Sequence, residues 1–145
     1  MRYLNTRDEN EIVNIKEAII NGLAKDGGLY VPEHINKIDD IYKLKDYSYQ
    51  ELASFILNQF IDYDISEYIN KAYNNNFDNK NICPVKKVGN NYFLELFHGP
   101  TSAFKDVALQ LLPYKLTSSS NDDKDIVILS ATSGDTGKAA LEGFK

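Results

Sequence analysis

Ile126-Val127-Ile128-Leu129-Ser130-Ala131-Thr132-Ser133-Gly134-Asp135-Thr136-Gly137 is the stretch that decides the fold class. Four consecutive apolar residues read as a strand buried on both faces of a parallel sheet. A loop of hydroxyls and glycines follows, and a helical stretch continues through Ala139, Ala140 and Phe144. Free backbone N–H groups and the helix dipole at such a junction favour a carboxylate or phosphate. The glycines allow close backbone approach, which makes Ser133, Gly134, Asp135, Thr136 and Gly137 candidate ligand residues. A capped turn with no ligand has the same outline. Gly137-Lys138 imitates the end of a nucleotide-hydrolase phosphate loop, but that pattern needs Gly at 132 and Ser or Thr at 139. This chain has Thr132 and Ala139.

Upstream lies Leu96-Phe97-His98-Gly99-Pro100-Thr101-Ser102-Ala103-Phe104-Lys105-Asp106. Phe104, Val107, Ala108, Leu111 and Leu112 follow the i, i+3, i+4, i+7, i+8 spacing of one helix face. The spacing predicts a helix to about residue 116, kinked at Pro113. Lys105 falls in its first turn, where an ammonium is disfavoured, so its placement points to chemistry rather than solubility. Before it, residues 85–88 and 92–97 read as a hairpin turned by Gly89-Asn90-Asn91. Residues 117–125 read as a solvated loop. Strand, helix, strand, glycine loop and helix make the start of a doubly wound α/β domain.

The first half reads as short helices. Asn14 with Glu17, and Ser48 with Glu51, form capping boxes, the second stapled by Tyr47 and Leu52. The first helix turns Ile15, Ala18 and Ile19 inward and ends at Gly22. Residues 29–31 form a short strand stopped by Pro32. Leu52, Phe55, Ile56 and Phe60 are the expected buried face of the second helix. Asp64 opens a third, with Ile65, Tyr68, Ile69, Ala72 and Tyr73 inward. Asp39-Asp40 marks a helix start and is too little for a metal site. Residues 74–81 form a polar linker, dividing the chain into a small, mainly helical domain at 1–81 and the start of a larger domain at 82–145. The chain stops at Lys145 with no cap or glycine stop, and so few parallel strands cannot cover themselves. An amino-terminal piece of a longer protein is therefore expected.

Of 145 residues, 43% are hydrophobic and 26% charged, as in ordinary folded domains. A net charge of −5 argues against nucleic-acid or anionic-membrane partners. There is no signal-like apolar segment, and Cys83 is the single cysteine, so a cytoplasmic protein without disulfide or metal centre is the expectation. A lysine at a helix start, with an anion loop one βα unit later, suggests an aldehyde cofactor held covalently, and pyridoxal phosphate is the usual one.

His98 to Gln110 and Ala131 to Gly137 closely resemble two signature segments of the threonine synthase family. Thr6-Arg7 and Gly22-Leu23-Ala24-Lys25-Asp26-Gly27-Gly28-Leu29-Tyr30-Val31-Pro32 are similar to its N-terminal domain. The resemblance implies a fold-type-II, pyridoxal-phosphate-dependent enzyme converting O-phosphohomoserine and water to threonine and phosphate. It implies that Lys105 holds the cofactor and moves the Cα and Cβ protons. Ser133, Gly134, Thr136 and Gly137 would hold the substrate carboxylate, and Asp135 would face the cofactor's 3′-oxygen. A carboxylate there repels a phenolate-like oxygen unless one holds a proton. His98 stands equally as structural residue or acid–base group, and Asp106 as helix cap or cofactor contact. Asn5, Asp8, Ser102 and Lys138 depart from the family's usual residues, and Lys138 reads best as a solvent-facing lysine. By itself the chain is expected to be inactive and to carry no cofactor. Two other readings stand: a related phospho-lyase that releases a 2-oxo acid, and a non-catalytic stand-alone domain.

Overall fold

A computed structural model describes residues 1–119 and 127–145. Strands β1 (Tyr3–Asn5), β2 (Ile12–Val13) and β3 (Tyr30–Pro32) form an antiparallel sheet in the order β2-β1-β3, with Tyr3 opposite both Val13 and Pro32. Pro32 closes β3 from an edge strand, where its missing N–H costs no ladder bond. Between β2 and β3 runs helix α1 (Ile15–Asn21). Asn14 and Glu17 exchange the two bonds of a capping box, and Gly22 caps the other end at φ 65°. Both helix signals read from sequence are therefore realised.

A one-turn 3-10 helix (Ile41–Leu44) is capped by Asp40, whose side chain accepts from Tyr42 N–H. Helix α2 (Tyr49–Leu57) starts with the Ser48–Glu51 box. Its inward face is rotated by about one residue from the expected one. Tyr49, Ala53 and Leu57 pack on the core while Leu52 is exposed. Tyr47 accordingly meets Phe55 edge to face at 6.3 Å rather than stapling to Leu52. Helix α3 (Ser66–Ala72) keeps its expected face, with Ile65, Ile69, Ala72 and Tyr73 buried. Asp64 accepts from Ser66 N–H at 2.9 Å.

Residues 74–81 hold two side-chain turns, Asn74 to Asn76 N–H and Asn79 to Asn81 N–H. They are less purely a polar linker than expected, because Phe77 is buried in the core. The core runs from Tyr3 and Ile15 through Ile69 and Phe77 to Ile82 and Leu111. Buried Ile82 holds φ 59°, a conformation that β-branched residues rarely adopt. Strands β4 (Val85–Val88) and β5 (Asn91–Leu94) form the predicted hairpin, with Val88 opposite Asn91 and Gly89 at φ 60° in the turn.

The expected long helix is two helices, α4 (Asp106–Leu109) and α5 (Leu112–Ser119). Pro113 has no N–H to give Leu109 C=O, and its ring crowds that carbonyl, so the ladder breaks before the proline. Helix α5 also takes in residues 117–119, which had read as loop. The rest of that loop, and Ile126 of the predicted strand, lie outside the described residues. Val127, Ile128 and Leu129 form no strand and are exposed. Both sheets among the described residues are small and antiparallel, so the parallel, doubly wound sheet expected from sequence is not present there. A parallel strand needs hydrogen-bonding neighbours, and none of the described residues offers one to 127–129. The last helix, α6 (Asp135–Gly143), packs on α4; its last helical residue is a glycine, but the position after it is Phe144 at φ −94°, so it has no left-handed glycine stop, as expected.

Candidate active site

Lys105 is the N-cap of α4, half-buried, with its ammonium 4.7 Å from the centroid of the Phe104 ring. Phe104 and Ala108 are exposed, whereas Ala103, Asp106 and Gln110 are buried. The buried face of α4 thus carries a carboxylate, with the amide of Gln110 just after it, and of the expected apolar stripe Leu111 is buried while Val107 and Leu112 are half-buried. The reason lies in the corner before it. Asp106 has no exposed surface and accepts from Thr101 N–H at 2.8 Å and from Thr101 Oγ1 at 2.7 Å. A side chain at Gly99 would begin 2.4 Å from Asp106 Cβ, so glycine is needed for this approach. Ser102, at φ 56°, completes the turn by donating its N–H to Gly99 C=O at 3.0 Å. Asp106 therefore holds the Gly99–Thr101 corner that delivers Lys105.

The glycine loop is ordered from within. Thr132 Oγ1 accepts from Gly134 N–H at 3.2 Å and from Gly137 N–H at 3.0 Å. Gly134 takes φ 143°, which strongly favours glycine. Two amides of the first turn are thereby engaged. Among the described residues nothing accepts from the N–H groups of Asp135 or Thr136. Ser133, Gly134 and Asp135 are exposed, and Thr136 and Gly137 are half-buried.

The two loops are joined. Lys138 donates from Nζ to Thr101 C=O at 3.2 Å, so it is not simply a solvent-facing lysine. At the other end, a Cβ on Gly143 would come within 2.2 Å of the Leu109 carbonyl, the group left without a donor by Pro113. Thr101 and Thr132 are the residues that pattern reading passed over, and Lys138 is one that it read as facing solvent. Thr132 alone left a trace, as a hydroxyl two positions before the glycine that opens a helix.

His98 stands apart from this junction. Its Nδ1 lies 2.5 Å from Asp78 Oδ1 and its Nε2 2.8 Å from Glu95 Oε2, while Asp78 N–H donates to His98 C=O at 2.9 Å. The hydrogen bond to Glu95, and after it Asp78, raises the imidazole above its ordinary 6.5. With both nitrogens spent on carboxylates, His98 ties residues 74–81 to the segment between β5 and Gly99.

In the N-terminal sheet, buried Asn5 donates to Glu11 at 2.7 Å and to both oxygens of Asp26 at 3.1 Å, and accepts from Arg7 N–H at 2.9 Å. Asp26 is held below its usual value, chiefly by the N–H of Gly28 and then by Asn5. Thr6 Oγ1 accepts from Leu29 N–H at 2.9 Å. These bonds draw Thr6-Arg7 and Asp26-Gly27-Gly28-Leu29, distant in sequence, into one knot.

That knot falls within residues 2–73, which match the family model described as "Threonine synthase N terminus". The chain carries the N-terminal region of the threonine synthase family. It is 40% identical over 154 residues to the threonine synthase of Pseudomonas aeruginosa, covering all of this chain and 33% of that one. It is 42% identical over 138 residues to human threonine synthase-like 1, covering 88% of this chain and 19% of that one. A crystal structure of PLP-bound threonine synthase from Brucella melitensis superposes with a TM-score of 0.87 at 39% identity, covering 99% of this chain and 33% of that one. The chain thus spans about a third of the length of the threonine synthases it matches. No helix among the described residues is long and apolar enough to cross a membrane.

Proposed function

We propose that this chain supplies the lysine and one substrate-binding loop of a pyridoxal-phosphate-dependent threonine synthase, which converts O-phosphohomoserine and water to threonine and phosphate. The observation that carries the reading is the bond from Lys138 to Thr101. It ties the first turn of α6 to the corner that precedes Lys105. The donor set suits this chemistry: a half-buried amine for the cofactor, and for the substrate carboxylate two N–H groups at a helix start that no described residue engages, with the hydroxyls of Ser133 and Thr136.

When bound, pyridoxal phosphate supplies an electron sink for charge developing at carbon. Lys105 would hold the cofactor and, once displaced by the substrate amine, move the protons at Cα and Cβ. The substrate carboxylate would take the N–H groups of Asp135 and Thr136 with the hydroxyls of Ser133 and Thr136. Gly134 and Gly137 would join only if Thr132 Oγ1 releases them. Asp135, on the exposed rim of the helix start, is the group offered to the cofactor's 3′-oxygen. Asp106 works through the corner and His98 through the linker, each as a positioning residue. In this reading residues 82–145 begin the catalytic domain and residues 1–81 form the domain that precedes it.

The test is substitution of Lys105 by alanine in the intact synthase. Threonine formation should fall at least a thousandfold on the scale of lost covalent and proton-transfer catalysis, roughly the product of those effects. An unchanged rate, or 2-oxobutanoate as the main product of the unsubstituted enzyme, would overturn the assignment.

A further inference from the structure

Phe104 is 58% exposed in the turn before α4, and the Lys105 ammonium lies 4.7 Å from the centroid of its ring. Three lysines meet rings in this way among the described residues. The other two stand farther off, Lys16 over Tyr63 at 5.4 Å and Lys87 over Tyr92 at 5.5 Å. Side chains adjacent in sequence do not face one another on a helix surface, so the lysine chain must bend back to reach the ring. The neighbouring carboxylate does not compete. Asp106 is turned inside and spent on Thr101 N–H and Oγ1. The other lysine of the junction, Lys138, is held on Thr101 C=O.

A ring face carries partial negative charge, so it attracts an ammonium and gives a neutral amine no comparable hold. Condensation with a carbonyl needs the nitrogen lone pair, which only the neutral amine has. The form held by the ring is thus the form that does not react. An exposed phenylalanine by itself calls for no explanation. One whose face is filled by the amine that must find a cofactor does.

We propose that Phe104 is a positioning residue for Lys105, its ring face holding the ammonium in place and idle until an aldehyde cofactor takes the amine. Its purpose rests on the reading of Lys105 as the cofactor lysine, and it acts through that lysine alone. The ring keeps the amine beside the Gly99–Thr101 corner, whereas an aliphatic side chain would leave it free to swing into solvent. The contact weakens once the nitrogen gives up its charge, so it delays condensation without blocking it.

Proton NMR of the chain near neutral pH is the first test. An aromatic face shifts protons above it upfield, so the Lys105 ε-methylene signal should lie upfield of that of Lys43, whose side chain is 78% exposed. In Phe104→Leu it should return to the Lys43 position. The second test is reductive methylation with limiting formaldehyde and cyanoborohydride, mapped by peptide mass spectrometry. Phe104→Leu should raise the Lys105-to-Lys43 labelling ratio about threefold, the size of an exposed cation–π contact. Phe104→Trp, which keeps a ring face, should leave the ratio at or below its native value. A native Lys105 signal at the Lys43 position, or a ratio that leucine and tryptophan change alike, overturns the assignment. The native spectrum needs no variant, so it decides even where a substitution disturbs folding. Neither measurement depends on turnover, so failure here is distinct from an unchanged rate in the Lys105→Ala synthase, which would overturn the cofactor reading and leave the ring contact standing.

Discussion

A carboxylate with no exposed surface must find its partners inside the protein, and Asp106 finds them on Thr101. Asp106→Ala would leave a buried N–H and a buried hydroxyl unpaired, and should lower unfolding free energy by about 3 kcal/mol. Urea denaturation measures it; a loss under about 0.5 kcal/mol would mean the corner is held some other way. His98 carries a pH prediction. A neutral imidazole donates from one nitrogen only, so facing two carboxylates at once requires the protonated ring. Its folded value lies above the ordinary 6.5, so its stabilisation is complete below 6.5 and is lost as pH rises through the folded value. Melting temperature should therefore fall as pH rises above 6.5 in the native protein and fall less in His98→Gln. Capping partners such as Asn14 and Glu17 were legible in sequence because they sit three residues apart. The Asp106 latch and the Lys138 tether were not, because their partners are set by folding, with Lys138 reaching back 37 residues.

At the scale of elements, helix starts and the hairpin were readable, since turn and cap residues act locally. Helix continuity and burial were less so. Apolar spacing placed Phe104 inward, yet the latch turns Asp106 to the inside and Phe104 out. The buried-strand reading at 127–129 rested on a run of apolar residues, and such a run names no partner strand. Gly143 tests the packing of α6 on α4. Glycine to alanine late in a helix ordinarily stabilises, by up to about 1 kcal/mol. Here the added methyl would meet the Leu109 carbonyl at 2.2 Å. Gly143→Ala should instead destabilise by about 2 kcal/mol and weaken the Lys138–Thr101 contact, seen as a shift of the Thr101 and Ser102 amide signals. A stabilised variant with unmoved signals would show that the two helices are not pressed together.

For the whole molecule, the decisive feature is that one core spans both sides of residue 81. Phe77 and Ile82 sit in the same cluster as Ile69 and Leu111, and Tyr73 donates its hydroxyl across to Val107. Two independently folding units would have closed two cores, and elements that share one should open together. Ile69→Ala isolates this, because Ile69 is 0% exposed and lies wholly within the first 81 residues. The cavity should cost about 3 kcal/mol, equivalent to a roughly hundredfold faster exchange of amides that open only by global unfolding. The Tyr73 amide bonded to Ile69 C=O is local to the change, whereas the Leu109 amide bonded to Lys105 C=O is on the far side of the linker. In a single cooperative unit both accelerate by the same factor, and Lys105 is then positioned by the stability of the N-terminal helices. Should Tyr73 accelerate while Leu109 does not, the chain divides at the linker, and the lysine turn owes its order to α6 alone.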